Sequence, residues 1–182
     1  MTAQRQERNG SRPGIRFRPG IAVIILLASL LSVSQGGLGE LAGSPSLVQA
    51  ATTERVVTNR YSGLAIEGYD PVAYFVDAHP MIGLPEFEAS QAGVVWRFRN
   101  EGNRASFVAH PEVYGPQFGG YDPVDLARGV TVAGNPLFWL VSGGRLYLFG
   151  LEQNRDAFAA DPDRFLPAAA SRWPALEEGL AR

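Results

Sequence analysis

Asn103-Arg104-Ala105-Ser106-Phe107-Val108-Ala109-His110-Pro111-Glu112-Val113-Tyr114-Gly115-Pro116 is spelled a second time as Asn154-Arg155-Asp156-Ala157-Phe158-Ala159-Ala160-Asp161-Pro162-Asp163-Arg164-Phe165-Leu166-Pro167. The shared skeleton is Asn-Arg-x-x-Phe-x-Ala-x-Pro-x-x-Tyr/Phe-x-Pro, and the copies lie 51 positions apart. Other landmarks keep that spacing: Trp96-x-Phe98 returns as Tyr147-x-Phe149, and Gly83-x-Pro85-x-Phe87 as Gly134-x-Pro136-x-Phe138. Gly68-Tyr69-Asp70-Pro71-Val72 returns as Gly120-Tyr121-Asp122-Pro123-Val124, shifted by 52. Four landmarks in one order mark an internal duplication, and any fold must repeat with it.

Each copy has the same local grammar. Asp70-Pro71 and Asp122-Pro123 read as helix starts, because Asp accepts from free N–H groups at an N-cap and Pro at the first helical position has no N–H to satisfy. Gly129 is placed to stop the helix Val124 to Arg128. A hairpin follows: Phe87 to Ala89, a turn at Ala92-Gly93, and Val94 to Phe98; then Phe138 to Val141, Gly143-Gly144, and Leu146 to Phe149. After the hairpins come helices over Glu101 to Ala109 and Leu151 to Ala160, with Phe107 and Phe158 facing inward, ended by Pro111 and Pro162. Upstream, Val56-Val57 and Leu64-Ala65-Ile66 read as short strands. The tail from Asp163 to Leu180 reads as helix interrupted at Pro167 and Pro174, anchored by Trp173.

These patterns predict an α+β domain over residues 54 to 175. Tandem repeats of short helix, hairpin and helix, 68 to 119 and 120 to 170, would pack into one compact core with approximate two-fold symmetry, leaving a tail at 171 to 182.

The first 50 residues read differently. Arg5, Arg8, Arg12, Arg16 and Arg18 precede an apolar run from Ile21 to Val33, long enough for a signal-peptide core and short for a membrane span. Val48-Gln49-Ala50 offers small residues for cleavage before Ala51; cleavage nearer Gly36 or Gly39, and an uncleaved membrane anchor, are the alternatives. Residues 34 to 53 are spacer in each case. The expected location is therefore the periplasm or the exterior.

Residues 51 to 182 keep 16 of the 18 acids but 11 of the 16 arginines, a formal net charge of −5. An acidic domain with no basic stripe argues against a nucleic-acid partner. The chain has no Lys and no Cys. That excludes Schiff-base lysines, a P-loop lysine, thiolate metal sites and cysteine nucleophiles, and leaves the core alone to hold the domain. No G-x-S-x-G, H-E-x-x-H, G-x-G-x-x-G or EF-hand loop occurs, so binding is favoured over catalysis.

Ala65-Ile66-x-Gly68-Tyr69-Asp70-Pro71-Val72-Ala73-Tyr74-Phe75, then Asn103-Arg104 to Pro111, then Tyr114-x-Pro116-Gln117-Phe118-Gly119-Gly120-Tyr121 resembles exported bacterial proteins of the YHS-domain family, over roughly residues 61 to 174. The resemblance implies tandem YHS-like repeats, export and a small metal-associated module. The family's metal handling rests on Cys and His, and its exported members read Gly-Tyr-Cys where this chain reads Gly120-Tyr121-Asp122. Asp in place of Cys favours a harder divalent cation or none.

The candidate ligand site is Tyr69, Asp70, Gln117, Tyr121 and Asp122, bordering a pocket between the repeats; Asp70, Asp122 and His110 are the candidate metal ligands. Two carboxylates brought together can hold a hard cation or divide acid and base roles, whereas two helix caps need do neither. His110 stands where the second copy has Asp161, directly before the same Pro, a position suited to a local cap. His79, with Asp77 and Met81, is a further thin ligand set. Arg104 and Arg155 can hold an anion or tie their helices to neighbouring carboxylates. Three functions fit: an exported non-catalytic binding module for a metal or small ligand; an accessory protein docked on a larger envelope complex; and an enzyme using Asp70, Asp122 or His110.

Overall fold

The computed structural model describes residues 54 to 180, and in it the duplication is carried by matching backbone hydrogen bonds. Asp70 N–H donates to Met81 O at 2.8 Å and Asp122 N–H to Val132 O at 2.9 Å; Gly83 N–H donates to Gly68 O and Gly134 N–H to Gly120 O, both at 2.9 Å. The repetition starts upstream of the Gly-Tyr-Asp-Pro motif. Parallel bridges pair Leu64 with Val95 and Pro116 with Leu146, and each is followed by a 3-10 turn, Ile66–Gly68 and Gln117–Gly120. The expected signal core, spacer and cleavage positions lie outside the described residues; among those described, no helix is long and apolar enough to cross a membrane.

In chain order, repeat one comprises α1 (Ala73–Val76), β1 (Leu84–Gln91), β2 (Val94–Phe98), α2 (Glu101–Ala109) and α3 (Pro111–Tyr114). Repeat two comprises α4 (Pro123–Leu126), β3 (Asn135–Ser142), β4 (Arg145–Phe149) and α5 (Glu152–Ala160), followed by a 3-10 turn Pro162–Arg164 and α6 (Leu166–Glu178). β1 pairs with β2 and β3 with β4, each antiparallel and each with the same register break, between Leu84 and Glu88 and between Asn135 and Trp139. The fold is thus α+β with two similar helix–hairpin–helix units.

Each hairpin buries its aromatic pair against the helix that follows. Trp96 and Phe98 lie 4.8 and 5.2 Å, between ring centroids, from Phe107 on α2; Tyr147 and Phe149 lie 4.9 and 5.3 Å from Phe158 on α5. This is why the Trp/Tyr-x-Phe and Asn-Arg-x-x-Phe motifs recur together. The opposite faces of the hairpins differ. At one register position repeat one pairs Glu88 with Arg97, an ion pair at 2.8 Å, where repeat two pairs Trp139 with Leu148. The first pair needs water and the second avoids it. The second hairpin is accordingly covered on both sides: Trp139 packs edge-on to Tyr74 of α1 at 5.2 Å, and Leu146 and Leu148 join Ile66, Val72 and Trp96 in one buried cluster. One buried cluster therefore draws residues from both units.

The recurrent Gly-x-Pro-x-Phe motif has a steric cause. A Cβ on Gly134 would lie 2.5 Å from both the Gly120 carbonyl oxygen and Leu148 Cβ, and one on Gly83 would collide with the Arg97 backbone. Glycine lets the strand entry press against the neighbouring strand.

Two expectations fail. The stretch at 64–66 forms isolated bridges, Ala65 to Thr58 and Leu64 to Val95, rather than a strand, because Ile66 and Glu67 turn into positive φ, and 56–57 is not a strand either. The tail is not interrupted: α6 runs through both prolines. Pro167 sits in the first turn, where its missing N–H is not needed, and Pro174 withholds a donor from the carbonyl of Ala170, an exposed residue on the helix. Trp173 does anchor this helix, 5.9 Å from Phe118 and 5.8 Å from Tyr121.

Candidate functional site

Asp70 and Asp122 are both fully buried, and each ties three elements of its own repeat together. Asp70 Oδ1 accepts from Val72 N–H (2.8 Å) and Ala73 N–H (3.4 Å), holding the start of α1. Its Oδ2 accepts from Arg99 N–H (2.7 Å), just past β2, and from the Asn103 side-chain amide (2.6 Å) on α2. Asp122 repeats the pattern: Oδ1 accepts from Val124 N–H (2.8 Å), and Oδ2 from Gly150 N–H (2.8 Å) and the Asn154 amide (2.7 Å). Asn154 also donates to Asp125 Oδ2 at 3.0 Å. Burial pushes the Asp122 carboxyl up from the usual carboxylate range, against the pull of the Asn154, Gly150 and Val124 donors, while the Asp125 charge pushes the same way as burial.

Every oxygen of both carboxylates accepts at least one N–H, so the pair acts as two separate structural hubs. The hydrogen bonds of Asp70 stay within residues 70 to 103 and those of Asp122 within 122 to 154, with no shared partner among them. Among the described residues, no group of three or more His, Asp or Glu is placed to hold a metal ion. Sequence reasoning found the caps but not Asn103 and Asn154, whose amides close the hubs. Their signal is that both Asn residues repeat with the Asp.

The other candidates have local roles. Arg104 pairs with Glu101 at 2.7 Å and Arg155 with Glu152 at 2.9 Å, each one turn back on its own helix. That hydrogen bond from Arg104 holds the Glu101 carboxyl below its usual range. Asp161 caps its turn, accepting from Arg164 N–H at 3.2 Å. His110 does not cap; its exposed Nδ1 lies 3.4 Å from Glu112 Oε1. His79 and Asp77 lie exposed in the loop after α1, and Met81 is half-buried. Tyr69 is half-buried and bridges to Ile82, Gln117 opens a 3-10 turn, and the buried Tyr121 donates its hydroxyl to the Glu54 carbonyl. Tyr74, whose phenol burial raises strongly, donates to Pro136 O at 3.0 Å and so binds repeat one to β3.

None of the five candidate ligand residues lines the groove that runs past Arg55 and Trp173. That groove, about 720 Å³, lies between the stretch that begins at Glu54, the tip of the β1–β2 hairpin, and α6. Arg55, Val56, Val94, Gly119, Trp173 and Glu177 are among the residues that line it. Gly119 has φ +62°, and a Cβ there would collide with the Arg55 carbonyl oxygen; Val57 N–H donates to Gly119 O at 2.8 Å. Among the described residues, Arg55 Nε is the one buried side-chain nitrogen or oxygen without a hydrogen-bond partner. A volume in this range suits a small organic ligand. No family model, curated protein or solved structure matches the chain.

Proposed function

We propose that this chain is an exported, non-catalytic binding module, a cysteine-free variant of the YHS-like type, whose ligand site is the Arg55–Trp173 groove rather than the aspartate pair. The observation that carries this reading is the contrast between the two places. The buried carboxylates have their oxygens engaged by N–H donors, while the groove has open volume, an aromatic wall and an unpartnered guanidinium nitrogen. The Arg-rich start and the apolar run at residues 21 to 33 support export. The soft-metal association of the resembling family is not extended to this chain, because Asp122 occupies the position of its Cys and uses both oxygens internally.

The test is a small-molecule screen by ligand-observed NMR on the full chain, followed by shift mapping of the three indole N–H signals. Binding molecules are expected to move the Trp173 signal and to leave that of Trp139, which packs against the other buried cluster, in place. Molecules that bind without moving Trp173, or a screen without binders, would contradict the reading.

A further inference from the structure

Resting on the groove being the ligand site, we infer that its ligand is a monocarboxylate with a flat apolar body, anchored head-first on Arg55. A guanidinium stays charged at any pH the fold survives, and its planar fork matches a carboxylate in two parallel hydrogen bonds. Arg55 Nε is buried without an acceptor, which leaves a desolvated donor unsatisfied. Acidic partners are near at hand: Glu54 and Glu177 line the same groove, yet neither forms an ion pair with Arg55 among the described residues. The guanidinium is left for an acceptor that arrives with the ligand.

The same two glutamates set the ligand's charge. With one Arg and two Glu, the lining is net negative, so Arg55 is the one place in it that favours an anion, and a second negative charge away from Arg55 would face Glu54 or Glu177. The shape of the groove sets the rest. Val56, Val94 and the Trp173 indole give apolar walls, and a Cβ added at Gly93 would meet nothing within 4 Å, so the hairpin tip leaves room beside them. A ring system can lie against the indole while its carboxylate reaches Arg55.

The experiment titrates the full chain by calorimetry with four probes of one shape: 1-naphthoate, neutral 1-naphthalenemethanol, 1-naphthylmethylammonium and 1-naphthyl phosphate. Naphthoate is expected to bind at least about tenfold more tightly than the alcohol, the effect of one charge-assisted pair. Arg55→Gln is expected to erase that preference while keeping alcohol binding, and Arg55→Lys to keep part of it as a point charge. Because Arg55→Gln removes an unsatisfied donor, its melting temperature should not fall, which separates a lost contact from a lost fold. Equal binding of naphthoate and alcohol would overturn the carboxylate inference and leave the groove reading standing. Preference for the ammonium or the phosphate would overturn the inference in favour of the glutamates or of a dianion site. Failure of all four would remove both the inference and the groove reading.

Discussion

Asp122→Asn is expected to lower the unfolding free energy by about 3 kcal/mol, although it changes one atom. The carboxylate offers acceptors on both oxygens to donors from three elements: Val124 N–H at the start of α4, Gly150 N–H after β4, and the Asn154 amide on α5. An Asn side chain has one oxygen and one NH2. Turned one way, its NH2 faces Gly150 N–H and the Asn154 amide; turned the other, it faces Val124 N–H. Either orientation sets donor against donor at a position with no solvent exposure, and each orphaned buried donor costs about 1–3 kcal/mol. Urea unfolding of the variant beside the parent chain measures the loss. A change below about 0.5 kcal/mol, the size of ordinary surface substitutions, would mean that the hub carries no load.

Phe158→Ala is expected to cost about 3–5 kcal/mol, the range for deleting a buried aromatic ring. Phe158 is fully buried and touches three rings, Tyr147 at 4.9 Å, Phe149 at 5.3 Å and Phe165 at 6.3 Å. Its counterpart Phe107 touches Trp96 and Phe98. The residue that corresponds to Phe165 is Tyr114, and it packs instead on Phe75 at 5.3 Å. Phe158→Ala should therefore exceed Phe107→Ala, because a larger share of its cavity wall is rigid aromatic surface that cannot collapse inward. Thermal and urea unfolding of both variants decide the order. An equal or reversed order would show that the two aromatic clusters are not loaded as their contacts imply.

The duplication made most of the fold legible, for a physical reason. Hairpins with glycine turns and helices with an inward Phe are written locally, and finding each twice removed the ambiguity of any single instance. Pro174 was misread because a proline's effect depends on whether the carbonyl it abandons is exposed, which no local rule reports. The stretch from Glu54 to Ile66 falls short of strands because its two halves share one antiparallel bridge, held by Asn59 N–H to Leu64 O and Ile66 N–H to Val57 O, while Val57 and Ala65 donate to the distant Gly119 and Val95. The difference between Glu88–Arg97 and Trp139–Leu148 was readable once the copies were aligned. It explains why one hairpin faces water and the other is buried on both sides.

The candidate site was legible only in part. Asp followed by Pro announces a cap, and both aspartates cap. That their second oxygens reach an Asn on the far side of a hairpin follows only from the fold. The groove draws Arg55, Val94, Gly119 and Trp173 from four separated segments, and no spacing rule links them. Arg55 also precedes the repeats and so lacks the doubling that exposed everything else.

The twin aspartates are structural hubs, each closed by its own asparagine. The most direct test is a pair of double-mutant cycles, Asp70→Asn with Asn103→Ala and Asp122→Asn with Asn154→Ala, read by urea unfolding of the full chain with and without added divalent cations. Coupling of about 1–2 kcal/mol in each cycle, unchanged by the cations, is the predicted result. Additive losses in either cycle, or a cation-dependent stability that vanishes with the aspartates, would contradict it.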